Sequence, residues 1–158
     1  IQQKVILEIG SAHGGPLPFF DHLVGPEGTV IGVELQEFKA FTLLRAPHSD
    51  YEPLSKMELI VGNSTSEETL SRVKLALNDK PIDFLFIDGD HTYEGVLKDL
   101  EIYSPLVRPG GIIGFHDVAI EEGVALAFSE LALPKKILRP IHYMGIGVAY
   151  VGDKNDQV

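Results

Sequence analysis

The 158-residue chain has no cysteine, no tryptophan and only two methionines. Without cysteine there is no disulfide framework, no thiolate metal site and no thiol nucleophile. Long apolar runs are also missing. Stretches such as Phe84-Leu85-Phe86-Ile87 are strand-sized, which excludes a transmembrane helix. The chain opens on Ile1-Gln2-Gln3-Lys4 with no signal-peptide pattern, and a cytoplasmic setting is expected. It also lacks an initiator methionine, so either trimming or an upstream segment is expected. Basic residues are scarce: thirteen Lys and Arg against twenty-three Asp and Glu give a net charge of −10. That charge opposes phosphate backbones and anionic membranes, so neither nucleic acid nor membrane is expected as a partner. A homo-oligomer stays open. The length fits one domain, able to bury roughly 70% of its unfolded surface.

What is present is a regular alternation of short apolar runs and helical patterns. Strands are predicted at Val5–Ile9, 29–35, 57–61, Ile82–Ile87 and 111–115. Helices are predicted around Leu17 to Leu23, over 38–44, after Thr65 with Leu70, Val73 and Leu77 on one face, from Tyr93 to Tyr103, and through Ile120, Val124, Phe128 and Leu131. Thr65-Ser66-Glu67-Glu68 has the spacing of a capping box. Two more strands, 135–141 and 146–151, have only His142–Gly145 between them. That linker is too short for a parallel crossover and makes the last pair antiparallel. The predicted fold is therefore a three-layer α/β domain with five parallel strands and a terminal antiparallel hairpin, spanning residues 1–158.

Residues 86–118 are the most informative. Two apolar strands each end in a cluster of His and Asp: Asp88-Gly89-Asp90-His91 after the first, His116-Asp117 after the second. A helix joins them, and right-handed crossover makes them parallel neighbours with their carboxyl ends on one edge. Open α/β sheets bind ligands at that edge. Asp88, His91, His116 and Asp117 are thus expected to converge. For Asp88 and His91 the plainer alternative is helix capping. Asp90 is assigned to capping or solvent.

A second signal is the turn Glu8-Ile9-Gly10-Ser11-Ala12-His13-Gly14-Gly15, which joins the first strand to the first helix through small residues. Glu34 ends the second strand, where an acid can hold a ribose diol. Gly10-x-Ala12-x-x-Gly15 is a degenerate dinucleotide fingerprint. Glu8-x-Gly10-x-Ala12-x-Gly14 is the acidic-glycine loop of S-adenosylmethionine binders, with Ala at one glycine position.

On these residues, with Gly62-Asn63-Ser64, Tyr93-Glu94-Gly95, Asp99 and Arg108–Gly111, nearly the whole chain resembles a class I S-adenosylmethionine-dependent methyltransferase. Within that superfamily it is similar to the small-molecule O-methyltransferases grouped with cephalosporin-hydroxylase-like and macrolide-sugar enzymes. The resemblance implies a cofactor site from Glu8, Gly10, Ser11, Ala12, His13, Gly14, Glu34, Asn63, Ser64 and Asp88. Glu34 would hold the ribose, and Asn63-Ser64 would lie beside the adenine. It also implies a divalent cation, Mg or Mn, on Asp88 and Asp117, with His91 as general base and a small hydroxylated acceptor. Two departures stand out. His116 occupies the place of an acid usual in the metal-binding relatives, which tilts preference from Mg²⁺ towards Mn²⁺, Fe²⁺ or Zn²⁺. The N-terminal segment that covers the substrate in relatives is expected to be missing, with its role open to a partner subunit or to residues 46–55.

The other candidates have bland expectations. His13 faces either the cofactor or solvent, His22 is packed or exposed, His48 is solvated, and His142 has a small chance of lining the site. Tyr93 and Tyr103 are expected in the core, Asp99 and Glu101 in solvent. Two alternatives to methyl transfer stay open: a non-catalytic binder of S-adenosylmethionine or a nucleoside, and an NAD(P)-dependent oxidoreductase.

Overall fold

In the computed structural model the described residues form seven strands, whose pairings within each of two units are parallel except at the C-terminal end. Residues 4–37, 39–45, 50–138 and 143–152 are described. Among them no helix is long and apolar enough to cross a membrane. The chain's contacts fall into two compact units, residues 1–81 and 82–158.

The first unit contains β1 (Val5–Ile9), α1 (Leu17–Val24), β2 (Thr29–Glu34), α2 (Thr42–Arg45), β3 (Lys56–Val61) and α3 (Glu67–Leu77). β2 lies between β1 and β3 and is parallel to both, with Val5 opposite Thr29 and Thr29 opposite Lys56. Every residue of β1 and β2 is buried. That burial explains their near-continuous apolar sequences, because a parallel strand with both faces covered has no polar side. α3 is capped one residue later than the capping-box spacing implies. Ser66, not Thr65, is the N-cap, and its hydroxyl accepts from the Thr69 N–H at 3.1 Å. Asn63 has taken the Thr65 hydroxyl and N–H for its own side-chain oxygen, at 2.9 Å each.

The second unit contains β4 (Ile82–Ile87), α4 (Tyr93–Tyr103), β5 (Val107–Phe115), α5 (Glu122–Glu130), β6 (Lys135–Leu138) and β7 (Ile146–Tyr150). β4 and β5 are parallel neighbours, as the crossover argument requires. β7 runs antiparallel to both β5 and β6, so the terminal hairpin inferred from linker length is present. Leu85, Ile87, Ile113, Phe115 and Ala149 share one buried face of this sheet. Phe115 packs edge-on to Phe128 of α5 at 5.3 Å, which anchors that helix on the face. α5 begins at Glu122 and ends at Glu130, leaving Ile120 and Leu131 outside it; Ile120 is half exposed.

Side-chain periodicity misassigns two polar positions on α4. Asp99 is only 1% exposed and lies on the buried face with Val96, Leu100 and Tyr103, not in solvent. Tyr93 is not core. It sits half-buried at the first turn, and its hydroxyl donates to Glu130 Oε2 of α5 at 2.6 Å. Period alone marks which face a residue is on but cannot say how far a helix end projects beyond the sheet. Tyr103 and Glu101 behave as expected, the first fully buried and the second exposed with Lys98 at 2.8 Å.

Asp21 fixes the return of the chain into β3. Fully buried in α1, its carboxylate accepts from the Leu54 and Ser55 N–H groups at 2.9 and 2.8 Å. Burial pushes the carboxyl up, but hydrogen bonds from the Ser55 side chain, both N–H groups and Tyr51 outweigh it, leaving it below the usual carboxylate range. A depressed folded value means stability that is present above the ordinary carboxylate pKa and lost as the pH falls through the folded one. Asp21→Ala should strand these donors and cost about 2–4 kcal/mol. Urea unfolding from pH 7 to pH 3 should show a shallower acid-limb loss in Asp21→Asn than in the parent.

Candidate active site

In the first unit, β1 ends at Ile9 and the glycine turn follows. Gly10 and Ser11 N–H both donate to Val33 O, at 2.9 and 3.0 Å. Ala12 N–H donates to Glu34 Oε2 at 2.7 Å, and Gly14 N–H donates to Ser11 O at 2.7 Å. The protein itself therefore occupies four donors of the turn. Gly10 and Gly14 take left-handed φ of 87° and 86°, and Ala12 takes 44° between them, a conformation that normally selects glycine. Glu34 is 7% exposed, and its second oxygen accepts from Gln36 N–H at 2.8 Å. Each carboxylate oxygen still has a second lone pair, so Glu34 can bind the turn and a ligand hydroxyl together.

The remaining residues expected here divide clearly. Glu8 is fully buried within β1. Ser11 is buried too. His13 is exposed, its Nδ1 lying 2.7 Å from the Thr42 hydroxyl. Asn63 is exposed just after β3, with Ser64 half-buried beside it. His22 is exposed and its Nδ1 lies 3.0 Å from Pro18 O, so it is a local helix contact. His48 and His142 lie outside the described residues.

In the second unit the four predicted groups do converge. His91 Nε2 lies 3.6 Å from Asp88 Oδ1 and 3.4 Å from Asp117 Oδ2. His116 Nδ1 lies 3.3 Å from Asp88 Oδ1 and 2.9 Å from Asp117 Oδ1. Local structure explains how. Asp117 has a φ of 61°, a strained left-handed turn directly after β5 that carries its carboxylate back towards β4. Asp88 is not a helix cap; that role belongs to Thr92, whose hydroxyl accepts from Gly95 N–H at 3.1 Å. Asp90 is exposed and turns the chain into the helix by accepting from Thr92 N–H at 2.9 Å. Phe86 lies edge-on to the His116 ring at 6.2 Å and walls one side of the cluster.

Two residues that matter here gave little signal in the sequence. A side chain at Gly123 would meet His91 O at 2.3 Å and Tyr93 N at 2.6 Å, so only glycine lets α5 press against the backbone that carries His91. Glu121 Oε1 lies 4.0 Å from His91 Nδ1. In the sequence, Glu121-Glu122 reads simply as the acidic first turn of a helix.

Burial raises the Asp88 carboxyl above its usual range, and the Asp117 charge raises it further, against the pull of His116 and His91. Ligand atoms of Asp88, His116 and Asp117 all lie within 4.8 Å of one another. Adjacent ligands on an octahedral ion are about 3 Å apart, given metal–ligand bonds near 2.1 Å. The 2.9 and 3.3 Å separations fit that edge, so these three residues suit a small divalent ion.

Residues 7–118 match the family described as a methyltransferase domain, and the chain belongs to it. It is 28% identical over 95 residues to a ribosomal RNA large subunit methyltransferase E of Methanococcus vannielii, covering 60% of this chain and 32% of that protein. It is 23% identical over 122 residues to a rhamnosyl O-methyltransferase of Mycobacterium bovis, covering 74% of this chain and 46% of the relative. It thus spans half or less of the curated relatives it matches here. In fold it resembles the MycE methyltransferase of the mycinamycin biosynthetic pathway, solved with Mg, S-adenosylhomocysteine and mycinamycin VI. There the TM-score is 0.66 at 20% identity, over 99% of this chain and 47% of MycE.

The raised Asp88 carboxyl carries a signed expectation. Its contribution to stability is present at low pH and is lost as the pH rises through the folded value. Asp88→Asn should therefore leave the ion-free protein at least as stable as the parent at pH 7. An ion that needs the deprotonated carboxylate should bind more tightly as pH rises. Thermal melts with Mn²⁺, Zn²⁺ and Mg²⁺ should show an ion-dependent rise in Tm, absent from Asp88→Asn and Asp117→Asn. Equal response in those variants would remove them from the coordination shell.

Proposed function

We propose that this chain is an S-adenosylmethionine-dependent O-methyltransferase acting on a hydroxyl of a small molecule, assisted by a divalent ion. The observation that carries the reading is the His/Asp cluster at the ends of β4 and β5 in a chain of the methyltransferase family. Glu34 accepts from the ribose hydroxyls while keeping the Ala12 N–H. Asn63 and Ser64 flank the adenine. S-adenosylmethionine supplies the methyl group as an electrophilic sulfonium. A divalent ion held by Asp88, Asp117 and His116 supplies acidification of the acceptor hydroxyl.

What the chain's own residues do is hold that hydroxyl and take its proton. His91 Nε2 points at the carboxylates that would hold the ion, and imidazole accepts a proton near neutral pH. An imidazole among the ligands favours Mn²⁺, Fe²⁺ or Zn²⁺ over Mg²⁺. The rRNA methyltransferase among the relatives raises RNA as an alternative acceptor. The net charge of −10 and the scattered basic residues argue against it.

Calorimetry tests the cofactor. S-adenosylmethionine or S-adenosylhomocysteine should bind, and Glu34→Ala should weaken binding by about 1.5–3 kcal/mol. Because Glu34 also ties down the glycine turn, its Tm should fall as well. Tighter binding of NAD⁺ than of S-adenosylmethionine would sink the reading. For the base, His91→Ala should lower turnover roughly 10²–10⁴-fold on any hydroxylated acceptor found by screening, with cofactor affinity little changed. Full turnover in that variant would return His91 to a turn residue.

A further inference from the structure

We propose that Glu121 is a positioning residue that sets the tautomer and orientation of the His91 ring. The inference rests on the role proposed for His91 and concerns a residue outside the cluster. The two ring nitrogens of His91 face different partners. Nε2 looks at Asp88 and Asp117, at 3.6 and 3.4 Å, and Nδ1 looks at Glu121 Oε1, at 4.0 Å. A neutral imidazole has one N–H and one lone pair, so the two sides compete for the proton.

An acceptor of the substrate proton needs its lone pair on the Nε2 side. The two carboxylates on that side work against this arrangement, since each would accept an Nε2–H. Glu121 works for it by accepting from Nδ1. When Asp88 and Asp117 are engaged by a cation, the Nε2 side loses its acceptors and Glu121 decides the tautomer.

The chain holds Glu121 where this is feasible. Its N–H donates to Asp117 O at 3.0 Å, which ties it to the same turn that carries a cluster carboxylate. It occupies the N-cap position of α5, yet its side chain makes no capping hydrogen bond, so the carboxylate is not spent on its own helix. Gly123, two residues on, lets this segment lie against the His91 backbone. The Glu121 side chain is half-exposed, and a small torsional change or one bridging water closes 4.0 Å to a hydrogen bond.

The test is NMR of the histidine ring nitrogens, recorded about two pH units above the ordinary histidine pKa so that the rings are neutral. Spectra are taken without ion, with Mg²⁺ and with Zn²⁺, both of which are diamagnetic. His22, whose Nδ1 faces Pro18 O, is the internal reference for the Nδ1–H form. The Nδ1–H fraction of His91 should fall at least twofold in Glu121→Ala, with and without Mg²⁺. Glu121→Gln, which keeps an acceptor oxygen, should restore it. His22 and the Tm should stay unchanged across the three proteins, a pattern that general loosening would not give. The same His91 tautomer ratio in parent, Ala and Gln proteins would overturn the inference. If Mg²⁺ and Zn²⁺ both leave every spectrum and every Tm unmoved, the ion reading fails, and the ion-free comparison still decides the role of Glu121.

Discussion

Two carboxylates and two imidazoles held within a few ångströms of one another are the constraint on which the second unit depends. Left without a counter-charge, Asp88 and Asp117 repel, and burial adds to the cost of ionising Asp88. The fold does not remove this tension. It enforces it through the left-handed turn at Asp117 and the parallel pairing of β4 with β5. Strain and like charge maintained together are costly, and such features cluster at functional sites.

The surrounding elements serve that constraint. Gly123 allows α5 to approach the backbone of residues 91–93, and Thr92 closes the first turn of α4 immediately after His91. Tyr93 reaches Glu130, so the far end of α5 is tied to α4 as well. Phe115 anchors the middle of α5 to the sheet through Phe128. The imidazole thus rides on a loop clamped at several points, while its own ring stays partly exposed. Such a loop restricts where the ring sits without sealing it from a substrate.

How much of this was legible in the sequence depended on whether a feature is local. Strand ends marked by abrupt polarity changes placed Asp88, His91, His116 and Asp117 correctly, because parallel neighbours bring their carboxyl ends to one edge whatever the details. The terminal hairpin followed from linker length alone. The misreadings concern depth and partner choice. Asp99 repeats at a helical position beside the apolar face, and only tertiary packing decides that it is buried. Thr65 lost the cap to Ser66 because Asn63 offered a competing local acceptor, a contest that residue spacing cannot resolve. Glu121 and Gly123 were silent because their significance lies in what they touch across space.

The first unit is organised by the opposite logic. In the second, like charges are forced together; in the first, four backbone donors of the turn are bonded within the protein. Gly10, Ser11, Ala12 and Gly14 donate inward, and Glu34 receives one of those bonds while closing β2. Those four N–H groups are not available to grip phosphate as a glycine-rich dinucleotide loop does, since that grip consists of free N–H groups. The turn suits a ligand without phosphates, met by carboxylate lone pairs. That property separates a sulfonium nucleoside from a pyrophosphate-bearing dinucleotide, and it follows from the hydrogen bonding of five residues.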